Sequence, residues 1–430
     1  MANINFKNFF NCKNNITSCN LFISTSPALF IIGVAFLEFT IIYSSLIVIY
    51  SLLKKKIKVK FNYAIFLLSL FYIIVNLSSF ISQDLSSIFK SLAYIRFFLF
   101  YLFIINFFNN YYFKLLLKII LFCLLFIYID IFYQYLTGKD FFGYEPGLYL
   151  TRYQGPFGEE LISGAYIKKY LFLSLILLLS INKNYLLNIY LLLSIVITFV
   201  TGEKMSFILI TFVIGIFILS DLKKKKTILL SFISFFIIIF LFLNNPNIEN
   251  EKLKKTQNRY NKDFKVALGI DISKKSNTKF FSNSVHFIHW ATAFELFKQK
   301  PFFGHGIKQF RNKCSTVKGI TLNNNYNIDL FKGKNYRCTT HPHNFYLELI
   351  SETGILSLMI IILLYIFYFK RISNLENRNY KISIFLCLLV HIFPIATTGS
   401  FFTNHNSFHF WFIISLIEFM HISQLKKINK

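Results

Sequence analysis

The sequence predicts an all-α polytopic membrane protein. Hydrophobic residues make up 55% and aromatic residues 19% of the 430 positions, with a mean hydropathy of +0.53. That is more apolar surface than a soluble chain of this length carries. Apolar runs near the ~20 residues that cross a bilayer as a helix recur along the whole chain. The formal charge of +27 therefore has to be placed relative to the membrane before it is read as a binding signal. Lys and Asn are used heavily throughout, so any one Lys- or Asn-rich tract carries little weight. No short apolar core with a small-residue cleavage site is visible, and no cleavable signal peptide is expected.

About twelve spans are predicted, at residues 19–34, 35–53, 61–81, 88–108, 115–136, 161–181, 185–201, 205–221, 227–243, 343–369, 382–398 and 407–424. Pro27 and Gly33 interrupt the first region, where one long helix is the alternative to a hairpin. Residues 1–243 then form a membrane domain of nine spans, 244–342 one large loop, and 343–430 the last three spans. Basic residues orient the set. Lys54, Lys55, Lys56, Lys58 and Lys60, the run Lys223 to Lys226, and Lys370, Arg371, Arg378 and Lys381 all fall on one side. That side is read as cytoplasmic, with both termini on it, and the large loop is read as periplasmic.

The loop holds 18 Lys/Arg against 6 Asp/Glu. Long loops cross the membrane largely regardless of charge, so this does not oppose the orientation. Residues 249–280 read as solvated Lys/Asn-rich chain. From Asn283 onward the loop becomes aromatic and patterned, and Ser284 to Lys298 predicts an amphipathic helix on the membrane face. Cys314 and Cys338 flank the final loop segment, and in an oxidising compartment they are expected to form a disulfide. Within the spans, Arg96 and Asp130 are expected to form a structural ion pair, because isolated charges there are costly.

No P-loop, Rossmann glycine pattern, HExxH or CxxC pair is present. His286 and His289 are three apart, and His341 and His343 two apart. Four histidines suffice for a zinc site, but no carboxylate or Cys cluster accompanies them, so neither metal nor cofactor is expected. Three spans begin at the outer face directly after a charged motif. One follows Arg152-Tyr-Gln-Gly-Pro-Phe-Gly-Glu-Glu160, with Lys168 and Lys169 further in. The second follows Thr201-Gly-Glu203-Lys204, and the third His341-Pro-His343. Helix N-termini with basic side chains favour anions, phosphate above all. Lys300, Lys308, Arg311 and Arg337 add charge from the loop. An outward-facing pocket for a phosphorylated ligand with a lipid tail is the expectation. The competing reading is ordinary interfacial basic residues holding anionic headgroups.

His343 is the candidate general base, with an ordinary pKa near neutrality. Glu348 and Glu352 lie about 140° and 180° around the helix from it and are expected to face a neighbouring helix or the pocket wall.

These residues resemble the O-antigen ligase and O-antigen polymerase family. His343-Asn344, nine residues, then Gly354-Ile-Leu-Ser357 is similar to that family's His-Asn motif. Pro301-Phe-Phe-Gly304-His-Gly306 with Phe310 is similar to its Pro-x-x-Gly-x-Gly segment. Arg152-Tyr-Gln-Gly-Pro-Phe157 and Gly202-Glu-Lys204 are similar to its Arg-x-x-Gly-x-Phe loop and Gly-x-Arg turn. Lys204 and His286 stand where the family has arginines. The resemblance implies a GT-C-like inner-membrane glycosyltransferase with about twelve helices and short helices in one periplasmic loop. It implies inverting, metal-independent transfer of a glycan from undecaprenyl pyrophosphate to a sugar of lipid A–core. His343 would be catalytic. Arg152, Lys168, Lys204, Arg311 and Arg337 would hold the pyrophosphate, supported by His286, His341, Glu203 and Glu352. Alternatives within the fold are a repeat-unit polymerase using a growing polysaccharide as acceptor, and a protein O-oligosaccharyltransferase. A lipid-linked glycan transporter and a passive binder of membrane lipids are the other classes. Nucleic acid is not an expected partner.

Overall fold

A computed structural model describes residues 12–57, 59, 61–147, 151–220, 226–267, 285–317 and 338–428. Sixteen helices organise these residues. The first group is α1 (Cys12–Ile32), α2 (Val34–Leu53), α3 (Tyr63–Ser82), α4 (Leu85–Ala93), α5 (Ile95–Phe107) and α6 (Asn110–Thr137). Next come α7 (Ser163–Ile181), α8 (Asn184–Val200), α9 (Lys204–Leu219) and α10 (Lys226–Asn244). The loop contributes α11 (Glu251–Ala267), α12 (Val285–Gln299) and the single turn α13 (Phe310–Lys313). The chain closes with α14 (Phe345–Ser373), α15 (Arg378–Ile392) and α16 (Asn404–Ile428). No strand occurs among the described residues.

The Asn-rich composition has a structural use. Asn62, Asn109, Asn344 and Asn377 each cap a helix, their side chains accepting hydrogen bonds from free backbone N–H groups of the first turn. Gly33 separates α1 from α2, so the first apolar region is two helices, and Pro27 is accommodated inside α1.

Nine helical segments among the described residues are long and apolar enough to cross a membrane, with α4 and α5 counted as one. Every predicted span overlaps a helix, but α8, α9 and α15 have only 17, 16 and 15 residues. Twelve spans are therefore not reached on length alone. The predicted span at 382–398 also ends early. Helix α15 stops at Ile392, and Pro394 lies in a non-helical segment. That segment returns to the site.

Helix α7 packs against α15, α14 against α3, and α16 against α5. Their shared interior is aromatic: Tyr101, Tyr166, Tyr170, Tyr368, Phe100 and Trp411 are fully buried. Helix α10 is the opposite case, with only 6% of its apolar window covered. Its Ile237, Ile238, Phe240 and Leu241 point outward, as suits contact with lipid chains.

Arg96 and Asp130 do not pair. Arg96 Nη2 lies 3.1 Å from Glu38 Oε1 and 3.2 Å from Asn404 Oδ1, joining α5 to α2 and α16. The Asp130 carboxylate instead accepts the Phe141 N–H at 2.8 Å. Each group finds a partner at its own helix end, which is cheaper than extending across the apolar interior.

Candidate functional site

The histidine side of the site begins with a helix break. Gly354 inside α14 has φ 77°, ψ 177°, which frees a helical hydrogen bond. The segment Pro301–Gly306 crosses the break and replaces it. Ile355 N–H donates to the Pro301 carbonyl at 2.8 Å, His305 N–H to Ser351 at 3.1 Å, and Gly306 N–H to Glu352 at 2.8 Å. The approach excludes side chains. A Cβ on Gly354 would lie 2.0 Å from the Phe302 carbonyl oxygen, and one on Gly304 2.4 Å from the Glu352 carbonyl carbon. The glycines of the Pro-x-x-Gly-x-Gly segment and of the His-Asn motif are thus two halves of one backbone clasp.

Two carboxylates extend the clasp. Glu352 accepts the N–H groups of Lys308 and Phe310. Glu348 accepts the Ser400 hydroxyl and the Phe401 N–H, pinning the segment after α15. Both glutamates are buried and organise neighbouring chain, as their positions on the helix away from His343 suggest. His305 reaches the Leu296 carbonyl at 3.0 Å and so ties the clasp to α12. Helix α12 covers the predicted helical stretch from Ser284 to Lys298 to within a residue at each end. Its Ala293 and Leu296 pack with Phe310, Cys314 and Val317, and Cys314 is disulfide-bonded to Cys338 as expected.

His343, just before the Asn344 cap of α14, lies in the left-handed region, φ 55°, a conformation that costs energy for a non-glycine residue and needs support from its surroundings. Its carbonyl accepts the Thr398 N–H at 3.0 Å. Burial, followed by the neighbouring His341, His286 and His289, holds its pKa down to about 3. His341 lies at about 4, mainly through burial against its bond to Thr398. Burial also lowers His286. These imidazoles are neutral at physiological pH.

A cavity of about 950 Å3 opens beside them. His286, His341 and His343 line one side, and Arg152, Lys168, Lys169, Lys204 and Arg259 also line it. Three further histidines, His391, His405 and His409, complete its wall. Glu203 is the one carboxylate among the described lining residues.

Glu203 changes the expected electrostatics. Its oxygens accept Gly164 N–H at 2.8 Å and Ala165 N–H at 2.9 Å, and stand 3.8 Å from Arg152. The N-terminus of α7 is thereby occupied by a protein carboxylate, and that of α14 by Asn344. These two helix ends are not free for a phosphate. What remains for an anion is the side-chain cations. Arg152 Nε is buried with no hydrogen-bond partner, and burial lowers the Arg152 pKa while Glu203 opposes this. Burial raises Glu203, against Arg152 and the Gly164 bond.

The expected residues separate clearly. Arg152, Lys168, Lys204, Glu203, His286, His341 and His343 share the cavity. Arg311 is exposed on α13 and does not line it. Arg337 lies outside the described residues. Arg259 was missed, while Lys169, noted beside Lys168 in the sequence, also lines the cavity. Lys169 is held at 2.9 Å by Asn406 and lies over the Phe30 ring. Arg259 belongs to the tract read as solvated loop, yet α11 brings it to the site. There it donates to the Thr151 carbonyl at 2.9 Å and the Gly202 carbonyl at 3.0 Å. Tyr260 beside it lies under Lys204. An Arg-Tyr pair within a Lys/Asn-rich helix was the available signal.

Fold and cavity define a membrane-type helical protein with a cationic, histidine-rich pocket. Residues 189–362 match the family model described as O-antigen ligase. A protein of Rickettsia conorii named "Putative polysaccharide ligase" is 33% identical over 91 residues, 21% of this chain and 20% of the relative. A Rickettsia typhi protein of the same description is 28% identical over 116 residues, 27% of this chain and 25% of the relative. The alignments thus span a fifth to a quarter of these relatives' lengths.

Proposed function

We propose that this protein transfers a glycan from a polyprenyl-pyrophosphate carrier to an acceptor hydroxyl, in the manner of an O-antigen ligase at the periplasmic face of a bacterial inner membrane. The observation that carries the reading is the shared cavity. It joins His343 to five cations inside an apolar helical bundle, in a chain whose residues 189–362 match the O-antigen ligase model. Arg152, Lys168, Lys169, Lys204 and Arg259 hold the pyrophosphate, whose leaving charge they stabilise. The acceptor oxygen attacks the anomeric carbon. The carbon–oxygen bond to phosphate breaks, its electron pair leaves with the pyrophosphate, and the hydroxyl proton passes to His343.

An imidazole held near 3 is a weak base. The arriving anion corrects this, because a nearby negative charge favours the protonated ring and raises its pKa. Substrate binding thereby tunes the base to its task. The twelve-span topology with both termini in the cytoplasm belongs to the same proposal. Lipid A–core is the proposed acceptor. A strain lacking the protein tests this: unmodified lipid A–core with glycan left on the carrier supports a ligase. Lipopolysaccharide bearing single repeat units would replace that reading with a polymerase.

A further inference from the structure

We propose that His286, His289 and His343 form a zinc site with three imidazole ligands and one open position. Their ligand nitrogens all lie within 4.8 Å of one another. The ring centroids of His286 and His343 are 5.0 Å apart, those of His289 and His343 5.4 Å, and those of His286 and His289 6.4 Å. Bonds of about 2.0–2.1 Å at tetrahedral angles put imidazole centroids on a shared zinc about 5 Å apart. Two of the three separations already meet that requirement. The third closes by side-chain rotation on one helix, since residues three apart share a helix face.

The scaffold suits a metal. His286 and His289 belong to α12, which the His305–Leu296 bond ties to the clasp. The His343 backbone is fixed by Thr398. His341 is not a fourth ligand. Its Nδ1 meets the Thr340 hydroxyl at 2.8 Å and its Nε2 faces the Thr398 carbonyl at 3.3 Å, so it buttresses the His343 ring 4.2 Å away. His286 and His343 line the cavity, so the fourth position opens on it. Three imidazoles and an open position match zinc, which binds His₃ sets with a water or substrate oxygen as fourth ligand.

The binding claim goes beyond the proposed function. Its consequence for activity rests on that function: a zinc on His343 takes the nitrogen that would accept the acceptor's proton, so zinc would inhibit transfer. The test uses the full chain, purified in detergent, stripped of metal and free of glycan donor. Zinc is titrated against a chromophoric chelator, and the bound ion is examined by X-ray absorption. One zinc per chain with three histidine nitrogens is expected. His286→Ala and His289→Ala each weaken binding by at least about tenfold, while His405→Ala leaves it unchanged. X-ray absorption on the wild type keeps the proposal open to failure even where a variant misfolds. No competition with the chelator, fewer than three histidine nitrogens, or binding that survives both substitutions would overturn it. Because no transfer is measured, failure here leaves the glycan-transfer reading standing.

Discussion

The two sides of the cavity are built by different means. The histidine side runs from α12 through the clasp to Gly354 in α14, and apart from its anchor at Thr398 it lies within the stretch matching the O-antigen ligase model. Backbone hydrogen bonds hold it, with Gly304 and Gly354 allowing two chains to touch. The cationic side is gathered from distant segments at Arg152, Lys168, Lys169, Lys204 and Arg259, two of which lie inside the matched stretch. Side-chain contacts hold it, chiefly Glu203 and Arg259 bridging loops. A site fixed through backbone demands particular residues at particular spacing. A site that needs only positive charge accepts several residue types at several positions.

That contrast predicts a gradient of effects. Gly354→Ala should be the most damaging change, since it combines a strained backbone with a 2.0 Å approach to Phe302. A loss of about 2–6 kcal/mol is expected, read as a large drop in thermal midpoint in detergent. A near-native midpoint would mean the clasp is not rigid. Cys338→Ser removes a cross-link between residues 24 apart and should cost about 3 kcal/mol. Reductant should destabilise the wild type by a similar amount and leave the variant unmoved.

On the cationic side the effects should be smaller. Glu203→Ala leaves the Gly164 and Ala165 N–H groups without their acceptor. A cost of about 1–3 kcal/mol is expected, visible in the same melting assay. Arg259→Ala should barely alter stability and instead raise the apparent KM for a pyrophosphate-linked donor about fivefold, equivalent to about 1 kcal/mol. If Arg259→Ala proves as destabilising as Gly354→Ala, the distinction between the two sides fails.

The same contrast explains what was legible in the sequence. Apolar runs marked every segment that became an apolar helix of 18 residues or more, because membrane-like helices need little but length and hydropathy. His343, Gly304 and Gly354 were visible as spaced motifs, because backbone geometry restricts those positions. The partner of Arg96 was not visible: Glu38 sits in an apolar run that carries no pattern pointing toward α5. Arg259 was masked by the Lys/Asn-rich composition around it. The helix N-termini were read correctly as positive ends, but sequence could not show that Glu203, from another loop, fills the one at α7. His286 and His289 were seen as a pair. Their approach to His343 depends on tertiary packing of α12 and has no local signature.

The central claim is that His343 and the cationic side serve one transfer reaction in a shared cavity. The direct measurement is single-turnover transfer by purified protein, using an undecaprenyl-pyrophosphate glycan with lipid A–core as acceptor, comparing wild type with His343→Ala. Product is expected with the wild type and a rate about 10²–10⁴-fold lower for the variant, with donor binding retained by both. Equal rates from the two proteins would contradict the claim.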